Sequence, residues 1–548
     1  MKPTAIKFLL FFPILLFVYF LEAQQPEYGD YPITPVSFSQ VSISDDFWSG
    51  KIKTNHRVTI PIAYQKSLES GRIDNFLIAG GTKEGNFCSI YPFDDTDIYK
   101  IIEAASYSIQ TYPDPDMEYM MDTLIRHIGE AQEADGYLYT NRTIGSNIHE
   151  WAGTDRWELV HELSHELYNL GHMFEAAVAH FTATGKRNFL DIAIRSADLI
   201  CAEFGPEKIR NYPGHQEVEI GLVKLYRVTG EKKYLELARF LLDIRGQEGV
   251  GKADKYNQSH LPVIQQDAAV GHAVRGSYMW AAMADIAAIM NDSAYLQAIT
   301  RIWHDIADKK YYINGGIGAT GSGEAFGEAW DLPNMSAYCE TCAGVGNAIW
   351  NHRMFLMTGE SKYIDVLERT MYNNILDGVS LSGDRFFYPN PLASFGQHER
   401  SEWFGCACCP PNVARFLPSM PGYIYARKDD DIYVNLYISS ATSFETSTGT
   451  LNLAQESAFP WEGQASIVVR TPKDFDGSLL LRIPGYAIGR PVPGKLYRYT
   501  GASETEVEIS LNGILLDYEI DPQGYVRIAG AFSGEDRITL TFNMAPQI

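Results

Sequence analysis

Positive charge is what this sequence has least of. Its 45 Lys and Arg stand against 68 Asp and Glu, a formal net charge of −23. Phosphate backbones are bound through basic stripes that displace counterions, so this balance argues against a nucleic-acid partner. A neutral or cationic small ligand fits it better than a polyanion. Low-complexity blocks are absent, and 45% hydrophobic with 13% aromatic residues marks a folded chain. At 548 residues the chain outgrows a single core, so two domains are expected. Long apolar runs are scarce too. FLLFFPILLFVYFL (8–21), behind Lys2 and Lys7, has 14 residues, short of the roughly 20 needed to span a bilayer. With Ala23 of LEAQQ as cleavage residue, residues 1–23 read as a signal peptide, with an uncleaved anchor as the alternative. No cysteine stands near the cut for lipid attachment. The expectation is an exported protein, periplasmic or secreted, without a stable membrane anchor.

Cysteine is sparse and clustered. There are seven: Cys88, Cys201, Cys339, Cys342, Cys406, Cys408 and Cys409. Export permits disulfides, but an odd count leaves a thiol over. Five of them fall in two short stretches, a distribution closer to metal ligation than to a disulfide framework.

From about Asn55 to Pro418 apolar residues recur at i, i+3, i+4 spacing through about twelve helices. They include 118–132, 166–185, 188–205, 218–230, 232–246, 275–290, 293–310, 342–359 and 361–378, with shorter segments near 57–70, 96–112 and 411–418. Paired helices meet at T-G-x turns near 184–190, 229–235 and 358–364, where a left-handed residue can cap the preceding helix. An open solenoid and a closed ring of helical pairs both satisfy this rhythm. After Pro421 the period becomes two, and segments such as QASIVVRTP, SLLLRIPGYA and RITLTFNM predict an antiparallel β-sandwich. It looks short at its C-terminus. The division is 24–54 as an extended segment packing on the β domain, 55–420 helical, and 421–548 sandwich.

HELSHELYNLGH (161–172) contains H-E-x-x-H. On a continuous helix His161, His165 and His172 share one face, with Glu175 near the same line. A zincin needs a third ligand after the helix breaks, and Tyr168 and Gly171 occupy the places where the metzincin pattern wants glycine and histidine. A polar inner face lining a pocket, with His172 and His165 bonding ligand hydroxyls, suits the stretch better. Core histidines satisfied by neighbours are the plainer alternative.

SAYCETCAGVG (336–346) and WFGCACCPPNVAR (403–415) form the stronger constellation. Glu340 and Cys342 are two apart and point the same way if extended. Cys408 and Cys409 are adjacent, and Pro410-Pro411 is expected to force an extended exit before the next helix. Glu340, Cys342, Cys408 and Cys409 make a one-oxygen, three-sulfur set of the kind zinc takes. Structural zinc, a catalytic zinc–thiolate and disulfides between the clusters all remain open on spacing alone.

HELYNLGHMFEAAVAH, PGHQEVEIGLVKLYRVTG, AVGHAVRG, GGIGATGSGEAFGEAWDLPN, YCETCA and WFGCACCPPN together resemble glycoside hydrolase family 127, whose best-known activity is β-L-arabinofuranosidase; family 146 is similar. The resemblance runs from ISDDFW (43–48) to the last strand. It implies a closed (α/α)6 barrel followed by β-sandwich material, and Zn2+ held by Glu340, Cys342, Cys408 and Cys409. It implies Cys408 as nucleophile and Glu324 of GEAF as general acid/base, acting on an oligosaccharide or glycoside. His172, His215, His272, Glu368 and Tyr388 are implied as contacts to sugar hydroxyls. Trp330 and Trp403 flank these motifs and can stack on sugar or simply pack. The Gly-rich run before Glu324 is not a phosphate cradle, since no P-loop lysine follows. Cys339 and Cys406 are sulfurs to which the resemblance gives no role, and relatives continue through further sandwich strands. A carbohydrate-binding barrel with structural zinc is the non-catalytic alternative.

Overall fold

The computed structural model describes residues 28–501, 507–530 and 532–548; the segment read as a signal peptide lies outside the described residues. Twelve helices build the barrel. They are α1 (Ile60–Glu69), α2 (Asp95–Thr111), α3 (Pro115–Ala131), α4 (Glu166–Thr184), α5 (Asn188–Glu203) and α6 (Val218–Thr229). Then come α7 (Lys232–Ile244), α8 (Ala273–Met290), α9 (Ser293–Lys309), α10 (Thr341–Thr358), α11 (Ser361–Thr370) and α12 (Cys409–Ser419). The even-numbered helices pack in sequence, and α12 returns to α2, so the ring closes. Each odd-numbered helix lies outside an even one. The closed (α/α)6 barrel is what the structure adopts, not the open solenoid.

Inner and outer helices differ in sequence for a physical reason. Outer α9 buries one stripe of residues, whereas α8 is buried from Ala273 to Ile289. An inner helix touches two ring neighbours and its outer partner, so it has no solvent face, and small residues let the backbones approach. Gly171 of α4 shows how close. A Cβ there would come within 2.6 Å of the Glu217 carbonyl carbon at the start of α6. The T-G turns are helix C-caps: Gly185, Gly230 and Gly359 are left-handed, and their N–H groups bond back to Phe181, Tyr226 and Phe355.

Behind the barrel stand two sheets. The strands are β1 (Thr34–Pro35), β2 (Ser42–Ile43), β3 (Tyr425–Lys428), β4 (Asp431–Val434), β5 (Ser440–Thr446) and β6 (Gly449–Ser457). They continue as β7 (Gln464–Phe475), β8 (Ser478–Arg482), β9 (Val507–Leu511), β10 (Ile514–Leu515), β11 (Tyr525–Ala529) and β12 (Phe532–Phe542). One sheet runs β1-β3-β4-β8-β11 and the other β10-β9-β12-β7-β6-β5-β2. Pairing is antiparallel except between β4 and β8. The segment before the barrel lends β1 to one sheet and β2 to the other, then turns helical at Trp48–Thr54.

The barrel and sandwich are joined through a buried charge. Arg482 of β8 reaches Asp365 at 2.6 Å and Glu368 at 2.8 Å, both on α11. This corrects the sequence expectation for Glu368. It sits on an outer helix and faces the sandwich, so it serves the domain interface and not the sugar. Replacing Arg482 by Ala strands two carboxylates in the interface and is expected to cost about 3–5 kcal/mol. Urea unfolding followed by circular dichroism reads that loss, and an unchanged midpoint counts against this account.

Candidate active site and metal centre

Six inner helices run the same way round the ring, so their N-termini meet at one end of the barrel. Asp94, His165, Glu217, His272, Glu340 and Cys408 are the N-cap residues of α2, α4, α6, α8, α10 and α12. Unpaired N–H groups and the positive ends of the helix dipoles therefore face a common space. That space is a cleft of about 790 Å³, lined by His165, His215, His272, Glu324, Glu340, Cys342, Tyr388 and Cys408 among others.

The H-E-x-x-H stretch is not helical: α4 begins at Glu166, after the motif. His165 is left-handed, with φ of 60°, and its Nδ1 bonds the Leu163 carbonyl at 2.5 Å. His161 turns instead to Asn211, 3.1 Å away. The two imidazoles are not one turn apart on a helix, so the protease geometry does not exist. His172 is fully buried deeper on α4, 3.2 Å from Glu217 and edge-on to Tyr168 at 4.7 Å. It lies one turn below Tyr168, which lines the cleft, so the expected sugar contact is corrected to a buried position beneath the site. Glu175, deeper still, pairs with Lys224 and Arg415 at 2.5 and 2.7 Å.

Glu340, Cys342, Cys408 and Cys409 come together, with one ligand atom of each inside a mutual 4.8 Å. Neither pair is held by extended chain. Glu340 caps α10 and Cys342 lies in its first turn, while Cys408 caps α12 and Cys409 opens it. Pro410 and Pro411 stand within the first turn of α12, where their missing N–H groups would have had no partner in any case. The sulfurs are 3.3, 3.5 and 3.9 Å apart, and Glu340 Oε1 lies 3.7 Å from Cys408 and 3.6 Å from Cys409. A disulfide needs about 2.05 Å, so the pairing alternative is excluded. A tetrahedron with metal–sulfur bonds of ~2.3 Å has edges of ~3.8 Å, close to what is found. Burial, with Glu324 and Cys408 nearby, pushes the Glu340 carboxyl well up, and burial beside Cys342 does the same to Cys409. Glu340 Oε2 is buried without a partner. Four groups able to become anions around one buried point are costly to ionise without a cation between them, and the donor set is compatible with zinc.

Glu324 faces this cluster. An oxygen of its carboxylate lies within 4.8 Å of one from Glu340. Oε1 accepts from Tyr338 at 2.8 Å, and Oε2 lies 2.6 Å from His272 Nε2. The His272 tautomer is fixed, because Nδ1 accepts the N–H groups of Val274 and Arg275 and so leaves Nε2 to carry the proton. Burial pushes the Glu324 carboxyl up, but the His272 and Tyr338 hydrogen bonds and Arg275 together hold it below its ordinary value. Its φ of 52° is left-handed, a strain tolerated where a side chain must be aimed. Burial keeps His165, His215 and His272 well below their ordinary values or lowers them, so all three are neutral at pH 7. His215 Nδ1 lies 2.9 Å from the Gln216 carbonyl, leaving Nε2 as acceptor. Tyr388 Oη lies 3.1 Å from Cys408 Sγ and 3.8 Å from Cys406 Sγ.

Cys406 thus belongs to the cleft. Cys339 does not, being fully buried against Tyr312 and Ala337. Trp330 is 67% exposed and away from the cleft, and Trp403 packs edge-on to Phe386 at 6.3 Å. Arg275, Tyr256 and Tyr338 were not singled out in the sequence. Arg275 stood inside AVGHAVRG, three residues after His272, and only that proximity signalled it.

Comparison with known proteins gives concordant findings. The model for the catalytic domain of GH127 β-L-arabinofuranosidases matches residues 40–422, and that for their middle domain matches residues 431–544. A non-reducing end β-L-arabinofuranosidase of Bifidobacterium longum subsp. longum is 36% identical over 82% of this chain and 76% of its own length. A solved GH127 β-arabinofuranosidase is 50% identical, with a TM-score of 0.92 over 95% of this chain and 82% of that one. The GH127 β-L-arabinofuranosidase Ara127N of Geobacillus stearothermophilus T6 is 37% identical, with a TM-score of 0.83 over 92% and 81%.

The geometry sets a metal test. Purified protein is expected to carry one metal equivalent per chain, lost on Cys342→Ala and kept on His165→Ala. Elemental analysis of both variants decides it, and the opposite pattern would return the metal to the histidines.

Proposed function

This chain belongs to glycoside hydrolase family 127, and on that premise we propose that it is a zinc-dependent retaining glycosidase that releases β-L-arabinofuranose from the non-reducing ends of plant-wall glycans. The observation that carries the reading is the placement of Glu324 and Cys408 in one cleft, beside a four-ligand cluster built from two helix N-termini. The family and its relatives' printed activities support the sugar; the cleft supports the chemistry. Export follows from residues 1–23 on the same footing.

A retaining glycosidase flanks the scissile bond with a nucleophile and an acid/base. Glu340, Cys342, Cys408 and Cys409 would hold the zinc, whose charge would keep thiols with ordinary pKa near ~8.5 deprotonated at neutral pH. The Cys408 thiolate attacks the anomeric carbon while Glu324, in its protonated form, donates to the departing oxygen. A thioglycosyl intermediate forms on Cys408. Glu324, now a carboxylate, takes a proton from water, which attacks the same carbon and frees the sulfur. His272 fixes Oε2 throughout, so Oε1 exchanges Tyr338 for the reacting oxygen. The acid form of Glu324 is the minor one in the free cleft, and the carboxylate form is ready for the second half. The Tyr388 hydroxyl, 3.1 Å from the Cys408 sulfur, accepts from the thiol, and once Cys408 is a thiolate the same hydroxyl donates to it and so orients it. The neutral imidazoles of His165 and His215 accept sugar hydroxyls without burying an unpaired charge.

Aryl L-arabinofuranosides of both anomers test the substrate, with release expected from the β and not the α series. Cys408→Ser is expected to abolish turnover while circular dichroism stays unchanged. Glu324→Gln should slow alkyl glycosides by about 10²–10⁴-fold and activated aryl glycosides much less. Failure to release sugar from any anomer would favour a binding barrel with structural metal.

A further inference from the structure

A wall of the cleft is aromatic in a way that neither the chemistry nor the metal needs. Tyr91 and Phe93 stand 5.3 Å apart at 16°, Tyr91 and Trp151 5.8 Å at 21°, and Phe93 and Trp151 6.5 Å at 5°. The three rings are nearly parallel and all line the cleft. Each is only partly buried, so part of its surface meets the open space. Phe93 also stacks on His165, at 4.3 Å and 24°, which joins the wall to the hydroxyl-binding imidazoles. Trp330 and Trp403, the tryptophans nearest the sequence motifs, take no part in it.

The backbone that carries the rings is tied down. Asp94 accepts the Tyr91 N–H at 3.1 Å. Buried Arg72 approaches Asp94 at 3.4 Å and donates to the Gly405 carbonyl at 2.7 Å, tying this loop to the one that carries Cys406. Trp151 sits in a tight turn whose carbonyls at Gly153 and Thr154 accept from Arg142 at 3.3 and 2.8 Å. Its N–H is accepted by His149 Nδ1 at 3.1 Å. Aromatic surface on backbone fixed in this way is suited to binding, because the loops that present it have less freedom left to lose. The wall and the acid/base line the same cleft.

We infer that Tyr91, Phe93 and Trp151 form a leaving-group subsite, a platform that stacks the C–H face of a pyranose residue to which the cleaved sugar is attached. It rests on the glycosidase reading above and extends it to the aglycone. The acid/base must reach the bond oxygen, so whatever that oxygen belongs to lies beside Glu324, and the platform is a wall of the cleft that Glu324 lines. A pyranose chair offers a flat, continuous C–H patch to parallel rings, and its hydroxyls point outward to water. A methyl aglycone offers nothing to stack.

The test compares methyl β-L-arabinofuranoside with a β-L-arabinofuranosyl galactopyranoside on the zinc-loaded full chain. The wild-type ratio of kcat/KM, disaccharide over methyl, is expected to fall roughly five- to tenfold in Trp151→Ala and in Tyr91→Ala, the scale of one lost stacking contact. Melting temperature and metal content verify that each variant is folded. In parallel, methyl β-D-galactopyranoside is expected to quench wild-type tryptophan fluorescence saturably and to leave Trp151→Ala unchanged. A ratio that does not move in either variant, with no quenching in the wild type, overturns the platform and leaves the glycosidase standing. Absence of wild-type turnover on both glycosides overturns the glycosidase reading, and quenching alone would then still identify a pyranose site.

Discussion

The direction of six inner helices governs everything the cleft can do. Because the ring is closed and its members run the same way, six helix N-termini gather at one end of the barrel, with only the α8 terminus capped by a side chain, that of His272. A collection of thiolates and carboxylates is costly in a buried place unless positive potential surrounds it. Here the fold itself supplies part of that potential, before any ion is considered. Both pairs of the Glu340, Cys342, Cys408 and Cys409 cluster sit at such termini, on α10 and α12. His272 uses its own N-cap role on α8 to set its tautomer, and through it the orientation of Glu324. A structural habit of helices thus becomes control over a proton.

Below the cleft the barrel holds a second layer of charge. Arg415 of α12 donates to Glu103 of α2 and Glu175 of α4, at 2.8 and 2.7 Å, and to Tyr278 of α8 at 3.1 Å. Lys224 of α6 adds to Glu175. Four inner helices are thereby pinned to α12 about two turns below Cys408 and Cys409. Buried ion pairs of this kind seldom add net stability, since desolvation offsets their attraction. Their consequence here is positional: the start of α12 cannot drift without breaking charged contacts that have no water to replace them. His172 and Glu217 belong to this layer, which explains why polar residues on α4 run so deep.

Long elements were legible in the sequence because burial imposes a period. The twelve barrel helices and the change of period after Pro421 could be read directly, and boundaries fell within a few residues, as for 218–230 against Val218–Thr229. The ligand set was legible as well, because soft sulfur beside a carboxylate at short spacing has few other uses. Local geometry was not. Glu340 with Cys342, and Cys408 with Cys409, looked like extended pairs, yet each begins a helix. His161 and His165 looked helical, yet they precede one. Spacing says which residues are neighbours in the chain, while cap geometry depends on what the next helix packs against.

Helical and sandwich parts, the approximate helix count and the membership of the Glu340, Cys342, Cys408 and Cys409 cluster were thus determined by sequence alone, through periodicity and donor chemistry that act over a few residues. Periodicity left ring and solenoid open and the family resemblance implied the ring; the tertiary structure shows how it closes, through contacts between α12 and α2, some 300 residues apart. It also decided that Glu368 faces Arg482 and not a sugar, and that His172 lies under the cleft while His165 lines it. The same holds for Tyr91, Phe93 and Trp151, which share one wall. Which way a side chain faces is fixed by long-range packing, and no spacing along the chain records it.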